Sequence, residues 1–247
     1  MTDSEAALEE VLRALRREPR VDLDHQPISL TFANGELLLS GEVGDIAAKR
    51  LAVERAAGAP SVTAVLDETR VRLAESIPDD EIYDLLRRAL VEEPALTGCT
   101  IREHIRGQFK IVHAPLTNVG RIDVAITHGV VTLAGEVPSL AQKRLAGALA
   151  WWVPGTRDVI DTLGVQPPEE DSDDAICDTV RLVLDRDPAV HATAIQVGSR
   201  DGVVTFDGTI PAASERTAVE HDAGTLGRAR CRQSPHNPCL ISSICRG

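Results

Sequence analysis

Apolar residues follow a helical rhythm in three separate stretches of the chain. Positions i, i+3, i+4 and i+7 are apolar in residues 8–15 and 82–89, and residues 176–184 carry a similar stripe. This spacing predicts amphipathic helices. Each should stop near a Glu-Pro or Asp-Pro pair, because the residue before proline disfavours helical backbone. The expected N-caps are Ser4, Asp79 or Asp80, and Asp173 or Asp174.

A strand rhythm follows each predicted helix. In the second stretch, Ile122, Val124 and Ile126 alternate with other residues, which predicts a short strand. An X-Gly pair then precedes a second alternating run, and such pairs favour tight hairpin turns with positive φ at glycine. The expected turn glycines are Gly35, Gly129 and Gly202. Later strand glycines predict a bulge or a close backbone approach, at Gly41, Gly135 and Gly208.

The same unit occurs three times. Aligning Ile28 with Ile122 carries the match without a gap to Val71 and Val165, and more than a third of these positions are identical. The third copy matches from Ile195. Such repetition indicates tandem domains. Each unit reads helix, strand, strand, helix, strand, so the predicted fold class is α+β. A three-stranded mixed sheet would be covered by two helices, because a small sheet cannot bury its apolar face alone.

The repeat sets the expected domain limits. We expect domains at residues 1–75, 76–167 and 168–223, followed by an irregular tail at residues 224–247. The second domain carries an insertion, residues 97–121.

The third copy is incomplete. The stretch "GTLGRARCRQSPHNP" stands where the second copy has "WWVPGTRDVIDTLGV". In that register Arg232 and Gln233 replace Val159 and Ile160. Burying an unpaired arginine is costly, so we expect no final strand there and a mobile segment from about Gly224 onward.

The second copy resembles the BON domain, named for osmotically induced and nodulation proteins. The resemblance rests on the strand, the X-Gly turn, the "VVTLAGEV" strand, the alanine-rich helix and the "VPGTRDVIDTLGV" ending. It implies a non-enzymatic binding module that attaches to phospholipid membranes, with a link to osmotic or envelope stress. It supplies no catalytic residue and no cofactor, so we expect neither.

Charge and composition limit the classes of partner and the location that we expect for this protein. The net charge is −12 and the pI about 5.0, which argues against a general nucleic-acid binder and against whole-molecule attraction to an anionic membrane. The acidic N-terminus lacks the pattern of a signal peptide, and no run of about 18 apolar residues occurs. Five cysteines suggest no disulfide framework. We therefore expect a cytoplasmic protein, peripheral to a membrane where it binds one.

The insertion is the strongest candidate for a binding site. Its net charge is +3, although the whole protein is acidic. One acidic residue, Glu103, stands against four basic residues: Arg102, Arg106, Lys110 and Arg121. Apolar residues interleave with these charges, so the segment suits a local membrane or ligand contact. Its "QFKIVHA" stretch fits equally well an extra strand that covers a sheet edge.

Basic pairs on the second helices and one tryptophan are weaker candidates. The pairs Lys49-Arg50 and Lys143-Arg144 should lie mostly away from the apolar stripe, where they would meet lipid headgroups or simply solvent. Trp151 lies about 100° from the core stripe around the helix, and suits either an interdomain contact or an interfacial anchor.

Catalytic and metal chemistry find no support in the sequence. The glycines form no phosphate-binding loop, and no Ser/His/Asp set stands out. Cys231, Cys239 and Cys245 with His236 lack a CxxC pair, so we expect no metal.

Two hypotheses about function remain open. The first is a three-copy module that attaches repeatedly and weakly to a membrane surface, gaining avidity from repetition. The second is a cytoplasmic scaffold or regulatory protein whose units bind other proteins, or each other, through sheet edges.

Overall fold

The computed structural model describes residues 3–18, 21–169, 172–186, 195–200, 203–208, 219 and 243–244. The chain divides into two compact units, residues 1–74 and 75–247. Both combine helices with small sheets, so the predicted α+β class is confirmed.

The first unit contains one repeat in the predicted order. Helix α1 (Asp3–Arg16) precedes the hairpin of β1 (Ile28–Ala33) and β2 (Glu36–Val43), and α2 (Ile46–Ala57) leads to β3 (Ala64–Val71). The sheet order is β1-β2-β3, with an antiparallel pair followed by a parallel pair. Its core is aliphatic, as the low aromatic content requires, and includes Val11, Leu15, Leu37 and Leu39.

The second unit opens with an enlarged repeat. Helix α3 (Asp79–Glu92) and a short 3-10 helix (Pro94–Leu96) precede the strands. The strands are β4 (Cys99–Ile105), β5 (Gln108–His113), β6 (Gly120–Thr127) and β7 (Val130–Val137), followed by helix α4 (Leu140–Trp152), β8 (Asp158–Asp161) and β9 (Gly164–Val165). The sheet order is β5-β4-β6-β7-β8, and β9 also pairs with β7. The insertion therefore adds two strands beside the expected three.

The third repeat packs against the second. Helix α5 (Asp173–Arg186) contacts α4, and its Val183 joins the core of the second repeat. Arg186 also forms an ion pair with the buried Glu93, at 3.1 Å. These contacts explain why the two repeats form one compact unit.

The third sheet ends differently from the other two. Strands β10 (Ile195–Arg200) and β11 (Val203–Gly208) form the expected hairpin. A two-residue strand, β12 (Ser243–Ile244), pairs antiparallel with β11 and lies further along the chain than the register in which no final strand was expected. The corresponding strands of the first two repeats run parallel. Arg232, Gln233 and the predicted mobile segment from Gly224 lie outside the described residues, apart from β12.

The hairpin turns have the predicted backbone. Gly35 has φ 86° and Gly129 has φ 76°, and the residues before them, Asn34 and His128, are also positive at 52° and 51°. Positive φ at both central residues is the signature of a type I′ turn, whose twist matches that of the strands. The prediction is confirmed for these two glycines, while Gly202 lies outside the described residues.

The strand glycine of the second repeat allows a close backbone approach. Gly135 has φ 118°, and a Cβ there would collide with the carbonyl oxygen of Arg121 on the neighbouring strand. Gly41 is the same case in the first repeat, with φ 131° and the Pro27 carbonyl in contact. Any side chain would force these strands apart.

Candidate binding surface

The insertion forms a β-hairpin at the edge of the second sheet. Strand β4 pairs in parallel with β6 on one side and antiparallel with β5 on the other. Arg106 and Gly107, both with positive φ, form the turn. We call residues 99–113 the binding hairpin. Its outer strand, β5, ends the sheet order, so one of its edges pairs with no described strand.

Helix α3 fixes the hairpin from the covered face of the sheet. Ile101 and Glu103 are buried there, and Glu103 forms an ion pair with Arg87. The Tyr83 hydroxyl donates to the His104 carbonyl and accepts from the Ile126 amide, each at 2.8 Å. It thereby joins β4 and β6 just beyond their last paired residues, Glu103 and Val124.

Exposed apolar side chains are concentrated in the hairpin and in the loop that follows, and two of them, Phe109 and Ile111, lie on the uncovered side of the hairpin. Phe109 is 54% exposed and Ile111 is 61% exposed. In the described part of the chain, seven large apolar side chains are exposed, and five of them lie between residues 105 and 119: Ile105, Phe109, Ile111, Leu116 and Val119. Isolated exposed apolar residues are ordinary, but their concentration in one segment makes that segment a candidate interaction surface.

Charged residues beside Phe109 are tightly paired. Arg102 donates from Nε and an Nη atom to the two carboxylate oxygens of Asp123, at 2.6 and 2.8 Å. Arg121 donates to the same carboxylate at 3.1 Å. The hydrogen bonds that Arg102 donates to the Asp123 carboxylate raise the pKa of Arg102. The Arg102 guanidinium lies over the Phe109 ring, 4.3 Å from its centroid, and the His104 ring lies 4.8 Å away.

Three basic residues of the hairpin were predicted to bind a ligand or a membrane, and the structure gives them different surroundings. Arg106 and Lys110 are exposed and form no ion pair with any described residue. Arg102 is held against the sheet by Asp123. The hairpin therefore presents two unpaired cations and one compensated cation.

One residue of the basic pairs on the second helices, Lys49, is less exposed than expected. Lys49 is buried, only 8% exposed, and its Nζ lies 2.7 Å from Asp67 and 2.6 Å from the Thr69 carbonyl. The prediction that Lys49 meets headgroups or solvent was wrong, because Asp67 and Thr69 of β3 lie within reach of α2. Arg50 is half-buried.

The second repeat has the corresponding lysine. Lys143 Nζ donates to the Leu163 carbonyl at 2.7 Å, and Arg144 beside it is half-buried. Burial raises the pKa of the neighbouring Asp161, with the Leu163 amide and Lys143 acting against it. Trp151 is half-buried, and Trp152 packs against the core.

Sequence patterns left three contributors unnoticed. Asp123 lies between the apolar Ile122 and Val124 of "RIDVAIT", on the opposite face of the strand, and a lone carboxylate inside a predicted strand was the available signal. Leu116 and Val119 lie in a loop with no periodicity, so nothing marked them.

The described residues give little support for a metal site, a membrane-spanning helix or a reactive thiol. They include no group of three metal-ligating side chains and no helix long and apolar enough to cross a membrane. Cys99 and Cys177 are buried free thiols, and burial raises the pKa of both. Cys231, Cys239, Cys245 and His236 lie outside the described residues.

Comparisons with known proteins give one family match. The model of the BON domain matches residues 3–72, 100–167 and 172–229. No curated protein matches the chain. Two solved structures of CdsD, a structural protein of the type III secretion system of Chlamydia trachomatis, are similar at 15% identity. The similarity covers 67% and 66% of this chain and 100% and 94% of those chains, with a TM-score of 0.22 for each. A likeness of this extent supports no conclusion about partners.

Proposed function

Because the chain belongs to the BON domain family, a family of non-catalytic binding domains, we propose that it attaches peripherally to anionic phospholipid surfaces. The contact would be the binding hairpin with the loop that follows it. The observation that carries this proposal is the concentration of exposed apolar side chains in residues 105–119. Two exposed cations accompany it, Arg106 in the turn and Lys110 on the edge strand, where Lys110 lies on the face opposite to Phe109 and Ile111.

The two kinds of side chain would contribute differently. Apolar surface removed from water stabilises the contact by roughly 25 cal/mol per Å². Each Lys or Arg near an anionic membrane adds about 1 kcal/mol. The net charge of −12 opposes the approach of the whole molecule, so the attraction should be local and sensitive to salt.

The contact should be shallow. Strand β5 has an unpaired edge, and unpaired backbone groups cannot enter hydrocarbon without a large cost. The strand would therefore lie among the headgroups, with Phe109 and Ile111 reaching the acyl boundary. Residues 21–74 contain no such hairpin, so the contact would depend on the second repeat rather than on three equal copies.

A cytoplasmic location and a role in osmotic or envelope stress are further parts of the proposal. The stress role comes from the resemblance to the family, and the binding experiment does not depend on either part.

Vesicle co-sedimentation tests the proposal. The chain should pellet with vesicles that contain phosphatidylglycerol, less so when salt rises from about 50 to about 300 mM, and not with phosphatidylcholine alone. Arg106→Glu with Lys110→Glu should abolish pelleting. The matched control is Arg17→Glu with Arg88→Glu, which makes the same charge change at two exposed sites, one directly after α1 and one on α3. Equal loss in both variants would contradict a hairpin contact.

The unpaired edge of β5 favours a second candidate, a protein-binding scaffold. An exposed edge strand offers a template for strand addition by a partner or by another copy. In that case the chain would not pellet with vesicles. The amides of residues 108–113 would instead become protected from hydrogen exchange as the protein concentration rises.

A further inference from the structure

The carboxylate of Asp123 is arranged to hold one guanidinium in place. Asp123 lies on β6 and is buried, 9% exposed. It accepts both hydrogen bonds of the Arg102 fork and a third from Arg121. A bidentate fork fixes the plane of a guanidinium as well as its position. Asp123 therefore decides where Arg102 lies.

Arg102 in turn lies on the most exposed aromatic side chain of the hairpin. Its guanidinium carbon is 4.3 Å from the centroid of Phe109. In the strand register Arg102 is paired with Ile111, and Phe109 is paired with His104. The Phe109 ring is thus held on the uncovered face by a fixed cation on one neighbouring position and an imidazole on another.

We infer that Asp123 is a positioning residue of the hairpin surface, which fixes Arg102 over Phe109 so that Phe109 and Ile111 are presented together. This inference rests on the proposed membrane attachment. Arg102 then serves as part of the scaffold and does not bind headgroups, because its charge is already compensated by Asp123. Pre-ordering the ring lowers the entropic cost of binding.

For the substitution Asp123→Asn, the inference and simple electrostatics predict opposite changes in the affinity for anionic vesicles. Asp123→Asn removes a negative charge beside the hairpin, so charge alone would strengthen binding to anionic vesicles. Loss of the fork should instead weaken binding about threefold, the factor expected for a lost cation–π contact. Arg102→Lys keeps the charge and loses the planar fork, and it should weaken binding to a similar extent.

Vesicle titration of these variants gives the test, with Glu136→Gln as the control. Glu136 is exposed on β7, and its neutralisation should leave binding equal or stronger. Circular dichroism checks folding, and if Asp123→Asn does not fold, Arg102→Lys decides the result. Weaker binding by the folded variants supports the inference. Equal or stronger binding overturns it while the attachment stands. A wild-type chain that does not bind vesicles overturns both.

Discussion

The carboxylate of Asp79 accepts a hydrogen bond from the backbone amide of Gly129 at 2.8 Å, across 50 residues of sequence. Its other oxygen accepts from the His128 amide at the same distance. The first residue of α3 thereby holds the turn between β6 and β7. Helix and hairpin are joined at the point where the repeat is most recognisable in sequence.

Removing this carboxylate should destabilise the second unit. Asp79→Ala leaves two amides of the turn without their partner, and we expect a loss of about 1–3 kcal/mol in the free energy of unfolding. Chemical denaturation measures the loss. The control is Asp80→Ala, at the exposed neighbouring position, which should change stability by less than about 0.5 kcal/mol. Equal effects would show that Asp79 acts only through the helix dipole.

Two turn glycines with similar backbone φ angles should differ in how well they tolerate substitution by alanine. Gly129 has φ 76° and Gly107 has φ 78°. A Cβ on Gly129 would lie 2.7 Å from the Gly155 carbonyl, whereas Gly107 has open space around it. Gly107→Ala should cost about 1 kcal/mol from positive φ alone, and Gly129→Ala clearly more. Thermal unfolding compares them, and equal costs would contradict the crowding at Gly129.

Lys49 should act in folding and not in membrane contact. Lys49→Met removes the ion pair with Asp67 and the hydrogen bond to Thr69, leaving a partly buried carboxylate. We expect a loss of about 2 kcal/mol in the stability of the first unit. Hydrogen exchange across residues 28–71 of the full chain measures it. Vesicle binding by the folded variant should be unchanged, and reduced binding would restore Lys49 as a lipid contact.

Asp161 should make stability fall as pH rises. Burial raises its pKa, so the folded chain holds this proton to higher pH than the unfolded chain does. The stabilisation is present below the unfolded pKa of about 4 and is lost as pH rises through the folded pKa. Asp161→Asn does not titrate, so wild-type stability should decline relative to the variant above about pH 4. Urea unfolding at several pH values tests this, and a constant or opposite difference would refute it.

Local signals explain what the sequence predicted well. The Asn34-Gly35 and His128-Gly129 turns depend on neighbouring residues alone, so their positive φ values followed from the pattern. The predicted helix caps were less accurate. Asp79 bonds to the hairpin turn, and Ser172, rather than Asp173 or Asp174, accepts from the Ala175 amide at the start of α5.

Long-range register explains what the sequence could not show. Lys49 looked solvent-facing because nothing in the helical pattern shows that β3 ends within its reach. Arg102 was predicted to be available for binding, because the sequence does not show that β4 lies beside β6. That neighbouring position is what pairs Arg102 with Asp123. The antiparallel β12 could not be predicted either, since its partner β11 is distant in sequence.

One measurement tests the proposed membrane contact most directly. Ile111 on the binding hairpin and Leu66 on β3 are equally exposed, at 61% and 60%. Ile111→Ser and Leu66→Ser thus remove similar apolar surface from two different sheets. In titrations with anionic vesicles, Ile111→Ser should weaken binding several-fold, while Leu66→Ser should bind as the wild type does. Equal binding by Ile111→Ser and the wild type would contradict attachment through the hairpin.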